Sequence, residues 1–295
     1  MAAVEYQSPG TVAEAIALLA AAGATARPLS GGTDLVVQMR SGRVRPGQVI
    51  DLKRIPEMIG ISESDGGFLI GAATPCAVIG RHAALRAAWP GVVEAACLIG
   101  SAQVQGRASL GGNLCNASPA ADSAPALIAA SAVCIIASGQ GMRELPIEAL
   151  HAGPGKTTLK TGELLQAIRL PAAAARGADA YLRLIPRTEM DIAIVGAGAH
   201  LVLDAAGRVQ SARIGLGAVA PTPVRADAAA AALVGHLLDD AALGRMQEAV
   251  RAACSPIDDK RGTADYRRRV AGVLARRVVQ AAYSRALARA SGSSS

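Results

Sequence analysis

Aromatic residues are nearly missing: the 295 residues include one tryptophan, one phenylalanine and four tyrosines. That is too few for a base-stacking platform, so the formal net charge of +7 does not read as a nucleic-acid footprint. The basic residues concentrate late, in Arg267 to Arg269 and in Arg276 and Arg277, at helical spacing beside apolar positions. This predicts a solvated helix face, or one that docks an acidic partner subunit. Cysteine is sparse too. Cys76, Cys97, Cys115, Cys134 and Cys254 fall at no ligand-like spacing, which argues against a disulfide framework or an iron–sulfur cluster built by this chain alone, and for a reducing, cytoplasmic compartment. Long apolar runs are also lacking. The longest candidate, Ala124 to Ala137, is broken by Pro125 and Ser131 and falls short of the ~18 residues of a spanning helix. Glu5 stands where a basic-then-apolar leader would run, so no secretory signal is expected. His82, His151, His200 and His236 form no H-x-x-x-H pair, and no G-x-S-x-G elbow occurs.

What is present is apolar: 51% hydrophobic against 18% charged residues excludes a disordered chain. Thr11 and Glu14 form a T-x-x-E capping box ahead of the stripe Val12, Ile16, Leu18, Leu19, and Gly23 fits the helix end. Strands are expected ending at Leu29, over Gln48 to Leu52, and over Phe68 to Ala72. Helical patterns fill Pro75 to Leu85 and Pro90 to Leu98. A polar, glycine-rich loop is expected from Gly100 to Asp122, then a buried helix–strand pair from Pro125 to Ala137 and a strand over Leu164 to Leu170. The alanine-rich stretch Pro171 to Gly177 marks a domain boundary. Beyond it, Asp191 to Leu203 and Arg208 to Val219 read as an antiparallel hairpin turning at Ala205 to Gly207, ended by Pro221 and Pro223. Three helices follow, near Val224 to Val234, Asp239 to Ala253 and Ala264 to Ala290. The division expected is residues 1–175 (subdomains near 1–55 and 56–175), residues 176–290, and a tail at 291–295.

Two imitations of phosphate motifs fall away. Gly153-Pro154-Gly155-Lys156-Thr157 has Leu150 where a P-loop needs its first glycine. Gly196-Ala197-Gly198 lacks a third glycine and runs on as strand, so close strand packing explains it. Two glycine pairs remain. Leu29-Ser30-Gly31-Gly32-Thr33-Asp34-Leu35 joins a strand to a helix; residues without side chains let the backbone approach a ligand, and successive N–H groups can form an anion nest. Ser109-Leu110-Gly111-Gly112-Asn113 repeats the logic of a hydroxyl, a glycine pair and a polar side chain. Two such bends suit a ligand with two phosphates. Asp122 either accepts hydrogen bonds from a sugar or base, or caps the Pro125 helix.

At these residues the sequence resembles the FAD-binding subunit of the molybdenum hydroxylases, the xanthine dehydrogenase and carbon monoxide dehydrogenase family. Leu29 to Leu35, Ile70 to Thr74, Ser109 to Asp122, Gly155 to Thr157 with Gly162 to Leu165, and Tyr181 to Val195 carry the resemblance over nearly the whole length. It implies an α/β fold: a two-subdomain FAD-binding region of the vanillyl-alcohol-oxidase (PCMH) type, then a smaller domain of antiparallel sheet plus helices. It implies FAD contacts from Leu29, Ser30, Gly31, Gly32, Thr33, Asp34, Leu35, Ser109, Leu110, Gly111, Gly112 and Asn113, and from Asp122, Leu165 and Arg183, the last where relatives often carry lysine. Arg187 and Asp191 are expected to organise the edge of the second domain. No residue of this chain is expected to be catalytic or to bind a metal. The implied complex adds a large molybdenum-cofactor subunit and a small subunit with 2Fe-2S clusters, as a dimer of heterotrimers that passes electrons to an external acceptor. A cofactor-free scaffold and a free-standing flavin oxidase are the alternatives. The chain departs from the family at Val104-Gln105-Gly106-Arg107, where relatives often read Ile-Arg-Asn, which leaves open the cation near the phosphates. With so few aromatics, the flavin ring is expected to pack on aliphatic side chains and backbone.

Overall fold

A computed structural model describes residues 4–292, so Ser293 to Ser295 of the expected tail lie outside the described residues. The chain opens with a three-stranded parallel sheet in the order β1-β3-β2, from β1 (Glu5–Gln7), β2 (Ala26–Leu29) and β3 (Gln48–Asp51). Helix α1 (Val12–Ala22) makes the first crossover. Thr11 Oγ1 accepts the Glu14 N–H at 3.2 Å, and Glu14 reaches back to the Gly10 N–H at 2.8 Å. The expected box therefore forms, one residue wider at its return bond. Ala15, Ile16 and Leu19 are the buried face, and Gly23 ends the helix at φ +56°. Helix α2 (Leu35–Arg40) follows β2.

A five-stranded antiparallel sheet comes next, in the order β4-β5-β10-β6-β7. Its strands are β4 (Ile61–Ser64), β5 (Gly67–Gly71), β6 (Val133–Ser138), β7 (Gly141–Pro146) and β10 (Leu164–Leu170); β8 (His151–Gly153) and β9 (Lys156–Thr157) pair apart from it. Between β5 and β6 run α3 (Cys76–Arg81), α4 (Ala83–Ala88), α5 (Pro90–Cys97), α6 (Ala102–Gln105), α7 (Leu110–Cys115) and α8 (Ser123–Ala129). The stretch expected as a loop from Gly100 to Asp122 is thus partly helical. Ser109 is an N-cap that accepts the Gly112 N–H at 3.0 Å, so the second glycine pair occupies the first turn of α7. One continuous apolar core, from Ala15 to Leu170, lies beneath both sheets.

The last sheet is antiparallel, β11 (Gly177–Leu184), β12 (Val195–Leu203), β13 (Val209–Gly217) and β14 (Val224–Arg225), backed by α9 (Asp227–Ala231), α10 (Asp240–Ala253) and α11 (Ala264–Ala290). It holds its own core, from Ala178 to Ala286. Two expectations are corrected. The prolines do not end this sheet, because Val224 and Arg225 rejoin it beside β13. Arg267 does not face solvent: it is 4% exposed, and its guanidinium donates to the Ile194 carbonyl at 2.7 Å and to Asp259 at 2.7 Å. Arg269 and Arg276 do lie outward, paired with Asp265 and Asp240. The two cores meet along α8. A Cβ at Gly198 would stand 2.6 Å from the Pro125 carbonyl oxygen, and one at Gly215 would overlap the same atom. Strand glycines therefore let the α8 backbone lie flush on the second sheet.

Candidate cofactor-binding site

The two bends converge. Ser30, at the end of β2, places its Oγ 2.8 Å from the Oγ of Ser109. Gln38 of α2 donates to Asn116 Oδ1 at 2.9 Å, a second tie between the segments. Gly31 faces the chain ahead of α7 so closely that a Cβ would overlap the Arg107 carbonyl oxygen. It is thus the Arg107 backbone that meets the first bend; its side chain is exposed. Gly32 takes φ +79°, a conformation that glycine adopts without strain.

Hydrogen bonding separates the bends chemically. The backbone N–H groups of Gly31, Gly32, Thr33 and Asp34 have no acceptor among the described residues, and neither does the Thr33 hydroxyl. Asp34 precedes α2 without capping it through its side chain, and Leu35 begins that helix half-buried. The second bend is more committed. Gly111 N–H donates to the Ala72 carbonyl at 3.1 Å, Gly112 N–H to Ser109, and Asn113 N–H to the Ser109 carbonyl at 3.0 Å. Asn113 Oδ1 accepts the Ser123 N–H at 3.2 Å and hydroxyl at 2.6 Å, so that only its NH2 faces outward chemistry. Leu110 is 1% exposed and serves the core. The space beside Gly112 is the cradle: a Cβ there would sit 3.2 Å from Ser109 Oγ and 3.7 Å from Ser30 Cβ. Free amides, an unpartnered hydroxyl and a gap closed only by a side chain fit a diphosphate held by backbone, and so fit FAD.

Asp122 is not the cap of the Pro125 helix. It makes no side-chain cap bond to α8. Instead Tyr181 donates to its Oδ1 at 2.9 Å and Arg183 to its Oδ2 at 2.7 Å, both from β11. Burial pushes its carboxyl up to about 6, against the opposing pull of the Arg183 charge and both hydrogen bonds. Arg183, with a side chain 5% exposed, is fixed by this pair, and its Nε is buried without a partner among the described residues. Leu29 lies beside Gly32. Leu165 is 2% exposed in β10, the strand that passes beneath α7. Arg187 and Asp191 pair at 2.8 Å on the edge of the second unit. A cleft of about 400 Å3 between α4, α5, β11 and α11, lined by Arg86, Glu94 and Arg285, shares only Tyr181 with this set.

Sequence reasoning missed Tyr181 and Lys53. Tyr181 stood only at the border of a matching tract, and nothing near it in the sequence marks its reach to Asp122, 59 residues away. Lys53, whose Nζ donates to the Ser30 carbonyl at 3.1 Å, had none.

Comparison with known proteins places the chain in a family. Residues 2–173 match the FAD binding domain in molybdopterin dehydrogenase, and residues 180–282 match the CO dehydrogenase flavoprotein C-terminal domain. The carbon monoxide dehydrogenase medium chain of Hydrogenophaga pseudoflava is 34% identical over 95% of this chain and 97% of its own. The xanthine dehydrogenase FAD-binding subunit of Escherichia coli is 31% identical over 95% and 96%. Among solved structures, reconstituted CO dehydrogenase from Oligotropha carboxidovorans superposes with a TM-score of 0.93 at 34% identity, covering 96% of this chain and 98% of that one. No helix of the described residues is long and apolar enough to cross a membrane. The chain belongs to the FAD-binding medium subunits of the molybdenum hydroxylase family, and is an oxidoreductase subunit.

Proposed function

We propose that the Ser30 and Ser109 bends grip the diphosphate of FAD. The convergence of two hydroxyls, 79 residues apart, beside four amides without acceptors carries this reading. Gly31, Gly32, Thr33 and Asp34 offer N–H donors, and Thr33 adds a hydroxyl. Ser109, Gly111 and Gly112 shape the opposite wall, while Asn113 presents its NH2. Leu29, Leu35, Leu110 and Leu165 supply apolar backing. Asp122, held by Tyr181 and Arg183, offers carboxylate lone pairs to hydroxyl or amino groups of the nucleotide portion. Residues 1–175 form the FAD-binding unit, with its subdomains dividing near residue 55, and residues 176–290 form the C-terminal domain. The gap between the two family matches and the two separate cores support that division.

FAD held here supplies electron-carrier chemistry between the 2Fe-2S clusters of a small partner subunit and an external acceptor. A large subunit carries the molybdenum cofactor and the substrate pocket, and the assembly is a cytoplasmic dimer of heterotrimers. Similarity to chains named as medium or FAD-binding subunits supports the multi-subunit assembly.

The purified full-length chain is expected to be yellow and to release one FAD per polypeptide on denaturation. Gly112→Val fills the cradle and should give folded, flavin-free protein. Full FAD content in that variant would remove the assignment. Co-purification with metal analysis tests the partners.

A further inference from the structure

β3 ends at Asp51, and Lys53 follows two residues later. Its Nζ donates to Asp51 Oδ1 at 2.6 Å and to the Ser30 carbonyl at 3.1 Å. The Lys53 N–H donates to the same carboxylate oxygen at 3.0 Å, and the Tyr6 hydroxyl to the other at 2.5 Å. Asp51 is 6% exposed, so the ammonium is anchored on a buried carboxylate whose remaining oxygen is already occupied. Burial alone would raise that carboxyl, but the Lys53 and Tyr6 hydrogen bonds outweigh it and hold it below the usual range.

The consequence lies in the next peptide. The Ser30 carbonyl and the Gly31 N–H belong to one trans unit and point in opposite directions. Holding the oxygen toward Lys53 turns the N–H to the other side. Two successive glycines would otherwise let this peptide rotate at little cost. A side chain at position 31 cannot restrain it, because the Arg107 carbonyl fills that space.

We propose that Lys53 is a positioning residue of the cofactor site: it clamps the Ser30 carbonyl, aims the Gly31 amide at the diphosphate and sets a positive charge behind the bend. This rests on the reading that the bend holds the FAD diphosphate.

Titration calorimetry of the full-length, flavin-stripped chain with FAD, ADP and riboflavin tests it. Lys53→Met should weaken FAD and ADP binding about tenfold and leave riboflavin, which has no phosphate, unchanged. Lys53→Arg, which keeps the donor and the charge, should recover most of the loss. Thermal melts check folding, and Lys53→Ala carries the same comparison should the methionine variant not fold. Undiminished ADP affinity, or equal losses for ADP and riboflavin, would overturn the assignment of Lys53 alone. A wild-type chain that binds neither FAD nor ADP would overturn the cofactor reading, and this inference with it.

Discussion

Ser30 and Ser109 place their hydroxyl oxygens 2.8 Å apart across a sequence separation of 79 residues. Ser109 Oγ also accepts the Gly112 N–H. Two hydroxyls carry two protons, and one is spent between them. The other has no acceptor among the described residues and is free to serve a ligand oxygen. The bridge fastens the end of a strand in the parallel sheet to the first turn of a helix above the antiparallel sheet, so the cradle exists only when both are folded.

Ser109→Ala removes the bridge and the helix cap together. It is expected to cost about 1–2 kcal/mol of stability and about tenfold in FAD affinity. Ser30→Ala keeps the cap and should lose less stability while losing similar affinity. Urea denaturation and flavin titration of both variants check this. Equal stability losses would show that the bridge, rather than the cap, dominates.

Much of the scaffold was legible because local signals agree with the tertiary outcome. Thr11 and Glu14 announced α1, and Ala205 to Gly207 lies at the turn of the β12–β13 hairpin. The second bend was located, but its helix was not, since Gly111 and Gly112 interrupt the apolar period that marks a helix. Ser109 as an N-cap was the available clue. Arg267 was misread through its arginine neighbours. Its spacing to Ala271, Leu274 and Val278 places it on the buried stripe of α11, where the Ile194 carbonyl and Asp259 satisfy it. Contacts such as Lys53 to the Ser30 carbonyl, or Tyr181 to Asp122, join distant segments and leave no local trace.

The Arg183–Asp122 pair predicts a pH-dependent cost. The Asp122 carboxyl sits at about 6 in the folded chain and near 3.9 in an unfolded one. The native state therefore keeps a proton that the unfolded state has lost, and this group's contribution to stability falls as pH rises from about 4 through 6. Arg183→Met removes the opposing charge and raises the native value further. The stability gap between wild type and variant should widen above pH 6, by up to about 1.4 kcal/mol per unit of added shift. Arg183→Lys keeps a cation and should stay within about 1 kcal/mol of wild type. Denaturation at pH 5.5 and 8 measures both, and a gap independent of pH would contradict the pairing.

Asp179 makes the same argument across the seam between the two cores. From β11 it accepts the Val92 N–H at 3.0 Å through Oδ2, at the start of α5, while Oδ1 has no partner among the described residues. Burial pushes its carboxyl up to about 7, against the pull of the Gly91 and Val92 amides. The folded chain again binds the proton that the unfolded chain releases, so stability from this site is full near pH 4 and is lost as pH rises through 7. Asp179→Asn keeps an acceptor for α5 without an ionisable group. Relative to wild type, the asparagine variant should gain roughly 2 kcal/mol between pH 5 and pH 7. Melting curves at those two values decide it. A difference between the proteins that stays constant, or that shrinks as pH rises, would mean that Asp179 is ionised in the folded seam and that Arg285 and the α5 amides hold it there.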